Sequence, residues 1–336
     1  MKTLERISPA NGRDSLIEVT KLTKKYDEVM AVDNISFNLP QGELFGFLGP
    51  NGAGKTTTIN MLTGLSRPDS GTIRIAGQEC IKNPKAAQHM IGVVPDESNL
   101  YPELSGFDNL CFCAALYGIH KNDRQRRAKY LLETFGLKEA ANRKFAVYSK
   151  GMKRKLTIAA GIIHNPQILF FDEPTTGIDV ASARQIRQLI ADLHRAGTTI
   201  FLTTHYIEEA ERLCERIAFI VKGKIVQIDT VKNLLQPIQQ RKVMLISVSN
   251  LANDLCSKLA TTFTHFEFQP ISAEQIRIES AEPISLGPLL RFIENHNSEV
   301  IEARRLSPSL EDVFVRITGI EANTFRNEAE KKGRIL

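Results

Sequence analysis

Eight residues constrain this chain more than any others: Gly49-Pro50-Asn51-Gly52-Ala53-Gly54-Lys55-Thr56. They match the pattern G-x-x-x-x-G-K-[ST]. They lie between a short apolar run, Glu43 to Leu48, and a stretch of helical periodicity, Lys55 to Leu65. Strand, glycine-rich turn and helix together are the setting in which such a loop holds phosphate. The glycines let backbone N–H groups turn inward with no side chain in the way. The helix opening at Lys55 points its positive dipole end at the same anion. Lys55 supplies a cation for the β- and γ-phosphates, and Thr56 offers a hydroxyl to Mg²⁺. An ordinary turn is the competing reading, since Asn51-Gly52 alone signals one. Chance agreement with the whole pattern in a chain of this size is about 1%. The candidate nucleotide-binding set is therefore Gly49, Pro50, Asn51, Gly52, Ala53, Gly54, Lys55, Thr56 and the adjoining Thr57.

A second constellation lies about 120 residues further on. Ile168-Leu169-Phe170-Phe171-Asp172-Glu173-Pro174 is an apolar strand that delivers two carboxylates at its end. Ligands gather at the carboxyl ends of parallel strands. Asp172 is thus placed to hold Mg²⁺, directly or through water, and Glu173 to orient or deprotonate a water aligned with the γ-phosphate. Taken alone, the pair is equally an acidic strand end closed by a proline turn. His205 follows another strand, Thr198 to Thr203. Alone it would read as a helix cap; beside a phosphate loop it reads as a γ-phosphate contact.

The rest of the chain says how many units carry these motifs. With 336 residues, two domains are expected. Residues 1–14 read as a flexible leader. From Leu16 to about 235, strands alternate with helices, which predicts a mostly parallel α/β sheet covered on both faces. Within it, about 105–165 is helical throughout, an inserted helical subdomain. Residues 240–320 read as βαββαβ, the split-βαβ order of a small ferredoxin-like α+β domain, closed by a helix from Ser309 with Asp312 three residues on. Residues 321–336 read as a polar tail. No apolar run approaches the roughly 20 residues that cross a bilayer, and the charged N-terminus lacks the apolar core of a secretory signal. A soluble intracellular chain is expected. The five cysteines, Cys111-x-Cys113 included, have no partner cluster at metal-ligand spacing and read as idle thiols. The net charge of +5 is scattered, so no direct nucleic-acid binding is expected.

From about Ile17 to Lys232 the sequence resembles the ATP-binding cassette (ABC) family. The phosphate loop could belong to many NTPases. Tyr148-Ser149-Lys150-Gly151-Met152, just upstream of the Asp172-Glu173 strand, looks like the family's signature loop, usually L-S-G-G-Q. Ser149 caps a helix running from about Met152 to His164, and Gly151 keeps the approach open, giving a second anion-binding helix N-terminus. The bland alternative is an ordinary capped helix. The resemblance implies ATP and Mg²⁺ as ligands and a head-to-tail pair of cassettes, either two copies of this chain or this chain with a second ABC ATPase. Each ATP then lies between one phosphate loop and the other subunit's Ser149 and Gly151. Ile178-Asp179 matches the family's D-loop. Tyr26 falls where the family stacks an aromatic ring on adenine, although plain packing explains a tyrosine there equally well.

This sequence departs from the family pattern at three points. Lys150 and Met152 replace a glycine and a glutamine of the signature. Asp96 stands where the family carries the glutamine that touches Mg²⁺ or its water. Shorter and anionic, Asp96 is still an oxygen donor for a metal. Pro308-Ser309-Leu310-Glu311-Asp312-Val313-Phe314 resembles the ending of exporter cassettes of the ABC-2, daunorubicin-resistance type. What is implied is an ATP hydrolase on the cytoplasmic face of a membrane, driving transport, with export ranked first, through a separate transmembrane permease. The competing readings are an importer ATPase and a non-transport cassette acting on ribosomes or nucleic acid. Paired cassettes with a charged linker, or long heptad arrays, would favour the non-transport reading, and neither is present.

Overall fold

The computed structural model describes residues 15–81, 83, 85–239, 242–250, 254–306 and 309–320. The expected leader and tail lie outside them. By contacts the chain falls into two units, one reaching to Thr230 and the other Val231–Arg316.

The first unit opens with β1 (Ser15–Tyr26) and β2 (Val29–Pro40), joined by a two-residue turn at Asp27-Glu28 where Asp27 takes φ 49°. So short a connection permits only antiparallel pairing. Next come β3 (Leu44–Leu48), α1 (Lys55–Leu62), β4 (Ser70–Ile75), β5 (Gln78–Glu79), α2 (Lys85–Gln88) and β6 (Ile91–Val94). The helical stretch holds α3 (Gly106–Leu116), α4 (Lys121–Thr134) and α5 (Lys150–Ile162). The chain then alternates through β7 (Ile168–Asp172), α6 (Val180–Arg195), β8 (Thr199–Thr204), α7 (Ile207–Leu213), β9 (Arg216–Val221) and β10 (Lys224–Thr230).

These strands form two sheets, where alternation alone suggested one. The order β10-β9-β3-β8-β7-β6 is the expected mostly parallel sheet, with only β10 running antiparallel. The N-terminal strands leave it and form a separate antiparallel sheet, β2-β1-β4-β5. Alternation along β1 gives it one apolar face, which needs a cover. Ile17 and Val19 from β1, Phe37 and Leu39 from β2, and Ile73 and Ile75 from β4 share one buried cluster with Phe45, Phe47, Phe170 and Phe201 of the parallel sheet. Phe201 is its hub: the rings of Phe37, Phe45, Phe47 and Phe170 lie 5.4 to 5.9 Å from it. Such spacing favours offset and tilted aromatic packing.

This packing matters because of where the strands stop. Leu48 is in register with Thr204, Asp172 with Thr203, and Val94 with Phe171. The loops leaving β3, β8, β7 and β6 therefore emerge side by side at the carboxyl edge of one rigid sheet.

The second unit contains α8 (Val231–Gln239), β11 (Lys242–Val248), α9 (Leu255–Thr262), β12 (Glu267–Ser272), β13 (Gln275–Ser280), α10 (Leu286–Glu294) and β14 (Val300–Leu306), and α11 (Leu310–Thr318) begins within it. Its strand order, β12-β13-β11-β14, is antiparallel throughout. Two split βαβ crossovers produce that order, the ferredoxin-like arrangement. Met244, Ile246, Val248, Ile276 and Ile278 alternate onto the face covered by Leu255, Leu259, Leu289 and Ile293. Ser309 and Asp312 form the anticipated reciprocal cap, with Asp312 N–H donating to Ser309 Oγ at 3.3 Å and Ser309 N–H to Asp312 Oδ2 at 3.1 Å. Among the described residues no helix is long and apolar enough to cross a membrane. The cysteines are free thiols, and among the described residues no group of three or more His, Cys, Asp or Glu is arranged to hold a metal.

Candidate active site

The phosphate loop spans the gap from β3 to α1, and two of its glycines are sterically required. Gly54, the residue before α1, sits at φ 104°, and a Cβ there would stand 2.3 Å from the Ala31 carbonyl oxygen. A Cβ on Gly49 would stand 2.1 Å from the Ile220 carbonyl oxygen. No side chain fits at either place. Lys55, at the start of α1, is 5% exposed, and its Nζ donates to the carbonyl oxygens of Gly49 at 2.8 Å and Pro50 at 3.1 Å. The loop thus holds its own lysine inward. Thr56 is exposed and Thr57 half-buried on the next positions of α1.

The structure brings Glu173 and His205 to that lysine. Glu173 Oε1 lies 3.1 Å from Lys55 Nζ, and Glu173 Oε2 lies 2.5 Å from His205 Nδ1. The Thr176 hydroxyl donates to the same Oε2 at 3.1 Å. The backbone of Glu173 is left-handed, φ 50°, which turns the side chain out of the strand direction. Asp172, one residue earlier, accepts a 2.5 Å hydrogen bond on Oδ1 from the Thr203 hydroxyl of β8. His205 Nε2 is buried and has no partner among the described residues. His205 is not a helix cap: α7 starts two residues later, after Tyr206.

Burial alone would raise the Glu173 carboxyl pKa. The His205 hydrogen bond and the Lys55 charge outweigh it and bring the carboxyl from 4.5 down to about 2. A folded pKa below the unfolded one adds stability above the unfolded value and loses it as pH falls through the folded value. The contribution is about 3 kcal/mol, fully present above pH ~5 and lost between about pH 4.5 and 2. Urea unfolding at pH 6 and pH 3 is expected to show an acid-induced loss that is smaller in a Glu173→Gln chain by about 2 kcal/mol, the share of that contribution already gone at pH 3. Equal losses in both chains would contradict the assignment.

Among the described residues the other candidates make no hydrogen bond or ion pair to this group, although Asp96 lies near enough to feel the Asp172 and Glu173 charges. Tyr26 ends β1 and is 45% exposed, its hydroxyl 3.2 Å from Ser66 Oγ and Lys24 Nζ 5.1 Å from the ring centre. Asp96 lies in the loop after β6; burial raises its carboxyl pKa, against the opposing Arg154 charge. Ser149 is exposed and caps α5, accepting the Met152 N–H at 3.3 Å. Gly151 departs from the expectation of an open approach. It is buried, and a Cβ there would lie 2.3 Å from Ser182 Oγ, so its small size lets α5 pack against the start of α6. Asp179 caps α6, accepting the Ser182 N–H at 2.9 Å.

Motif spacing singles out none of three supporting side chains. Thr203 orients Asp172. Glu209, 3% exposed on α7, accepts hydroxyl bonds from Thr175 at 2.9 Å and Thr204 at 3.1 Å. It thereby ties the segment after Glu173 to the end of β8. Arg154, buried on α5, bonds the loops after both β6 and β7. A signal for Arg154 existed: at three residues past Gly151 and four before Ile158, it falls on the buried stripe of α5.

Comparison with known proteins now discriminates among phosphate-loop families. The pattern of the ABC transporter family matches residues 32–176. The linearmycin resistance ATP-binding protein LnrL of Bacillus subtilis (strain 168) is 35% identical over 308 residues, 90% of this chain and 98% of that one. The chain belongs to the ABC transporter family. The daunorubicin/doxorubicin resistance ATP-binding protein DrrA of Streptomyces peucetius is 36% identical over 315 residues, 91% of this ABC chain and 93% of the relative. A solved dimeric post-hydrolysis state of the ATP-binding cassette MJ0796, bound to ADP and Pi, superposes with a TM-score of 0.59 and 27% identity. It covers 64% of this chain and 98% of that one. This ABC chain is accordingly an ATP-binding subunit and an ATP hydrolase, built on a P-loop α/β core with an inserted helical segment and a small α+β unit.

Proposed function

We propose that this chain hydrolyses ATP at the Lys55–Glu173–His205 cluster to energise export through a separate transmembrane permease, while peripheral on the cytoplasmic face of the membrane. The observation that carries the reading is the carboxylate of Glu173 held between a buried lysine and a buried histidine beside a phosphate loop. The residues fit a nucleotide. The loop excludes side chains at Gly49 and Gly54, and His205 Nε2 is a buried polar atom still lacking a partner. The hard oxygen donors Thr56 and Asp172, with Asp96 as a third candidate, suit Mg²⁺ shared with phosphate oxygens rather than an all-protein cage. Bound there, Mg²⁺ would neutralise charge developing on the phosphates.

In this reading Lys55 leaves Glu173 to meet the β- and γ-phosphates. Glu173, freed of the ammonium, accepts a proton from the attacking water. His205 keeps its Nδ1 bond to Glu173 and presents Nε2 to the γ-phosphate. Tyr26 stacks on adenine. Ser149 and the α5 N-terminus close the site of a second cassette, so the working unit is a dimer with two ATP. Export rather than import follows the names of the near-full-length relatives, which are drug-resistance and Nod factor export ATP-binding proteins. The expected result of purifying the tagged chain from detergent-solubilised native membranes is co-elution of a multi-span permease. Co-elution only with ribosomes or nucleic acid, or with a permease and a substrate-binding import protein, would overturn the export reading.

A further inference from the structure

Arg154 is a buried guanidinium bonded to backbone. It lies on α5, just over one turn past the Ser149 cap, and is 7% exposed. Its Nε donates to Pro174 O at 2.7 Å, and its Nη2 to Asp172 O at 2.9 Å and Glu173 O at 2.7 Å. Its Nη1 donates to Pro95 O and, at 3.0 Å, to Asp96 O. A guanidinium carries five N–H donors in a rigid plane, and here they are matched to five carbonyl oxygens. These acceptors belong to two chain segments only: the loop after β6, and the last residue of β7 with the loop that follows. Both carry candidate carboxylates. β6 ends at Val94 and β7 at Asp172, so the sheet ladder does not continue through these segments. Buried carbonyls there require other donors: Glu173 O also accepts the Thr176 N–H at 3.2 Å, and Arg154 serves all five.

We propose that Arg154 is a positioning residue for hydrolysis: by gripping Asp172 O, Glu173 O and Pro174 O it fixes the left-handed turn that aims the Glu173 carboxylate at Lys55 and His205, and it locks the Asp96 loop to the same frame. The proposal rests on Glu173 acting as the hydrolytic base. Glu173 occupies a backbone region that a glutamate does not favour, so its neighbours must hold it there. Arg154 bonds its carbonyl and those on both sides. It also connects the helix that begins at the signature loop to the strand end where hydrolysis takes place. Its bonds reach the loops after β6 and β7, whereas the phosphate loop is held by its own lysine and by packing on β2 and β9. Loss of Arg154 is therefore expected to spare nucleotide binding and impair turnover. A lysine keeps the charge but lacks the planar fork and two of the donors.

The test compares full-length wild type, Arg154→Lys, Arg154→Gln and Glu173→Gln in steady-state Mg-ATP hydrolysis, with folding followed by circular dichroism. The expected result is a kcat lowered about 10- to 100-fold in both Arg154 variants, from a displacement of the order of 1 Å, with KM for Mg-ATP changed less than about threefold. Lysine is expected to give no rescue. A kcat within about twofold of wild type in either folded variant would overturn the proposal. So would a KM that rises as kcat falls, or failure of both variants to fold, because then Arg154 is only part of the core. Glu173→Gln separates the two ideas. If it abolishes turnover while the Arg154 variants remain active, only the positioning role fails; if it turns over normally, the reading of Glu173 fails first.

Discussion

Glu173→Gln is expected to lower ATP turnover by about 10²- to 10³-fold while ATP binding is retained or tightened. Glutamine keeps the length of the side chain and can still meet the Thr176 hydroxyl, which bonds Glu173 at 3.1 Å. It cannot take a proton from water. Glu173 also holds Lys55 Nζ at 3.1 Å. An incoming γ-phosphate must displace that carboxylate and then lie close to its negative charge. Replacing the carboxylate by an amide removes both costs, so affinity moves in the direction opposite to turnover. Titration calorimetry with Mg-ATP and a phosphate-release assay on the same preparation check the two halves. Normal turnover in the folded variant would remove Glu173 from the chemistry.

Lys55→Met is expected to weaken Mg-ATP binding by about 10- to 100-fold. Charge-assisted hydrogen bonds are each worth about 1.5–3 kcal/mol, and an ammonium facing two phosphates makes more than one. The net loss is smaller than their sum because Lys55 Nζ has competing partners in the protein: Gly49 O, Pro50 O and Glu173. The same substitution leaves Glu173 buried with only His205 and the Thr176 hydroxyl to meet its carboxylate. Removing one member of a buried ion pair costs about 3–5 kcal/mol, so the nucleotide-free variant is expected to unfold at markedly lower urea. Methionine fills the space of the stem, which makes the missing charge the main difference. Unchanged affinity by calorimetry would count against the phosphate role of Lys55.

The chain announced much of this in advance, for reasons that particular residues make clear. Phosphate loops need glycines at fixed spacing, so Gly49 to Thr56 could be found without coordinates. Buried parallel strands read as unbroken apolar runs, so Ile168 to Phe171 and its terminal carboxylates were equally visible. The βαββαβ order of the C-terminal unit was legible because short strand-like and helix-like segments succeed one another there, although only β13 alternates cleanly. The separate N-terminal sheet was not visible, because β1 and β2 alternate like any half-covered strand and nothing local names the sheet that covers them. The pairings of Thr203 with Asp172, Thr175 with Glu209, and Arg154 with two loops join residues about 20 to 60 positions apart. Threonine and arginine have no spacing rule that would disclose such partners. Gly151 was legible as a glycine, but its neighbour Ser182 was not.

The left-handed backbone at Glu173 separates what favours folding from what favours turnover. A non-glycine residue held there costs about 1 kcal/mol or more, a cost that glycine escapes. Random variants of this chain screened for heat resistance in the absence of nucleotide would meet two opposing pulls at position 173. Conformational relief favours glycine, while the ionic pairing with Lys55 and the hydrogen-bonded one with His205 favour glutamate. In strong acid, where those pairs are neutralised, the balance tips, and a catalytically dead glycine chain should outlast the parent.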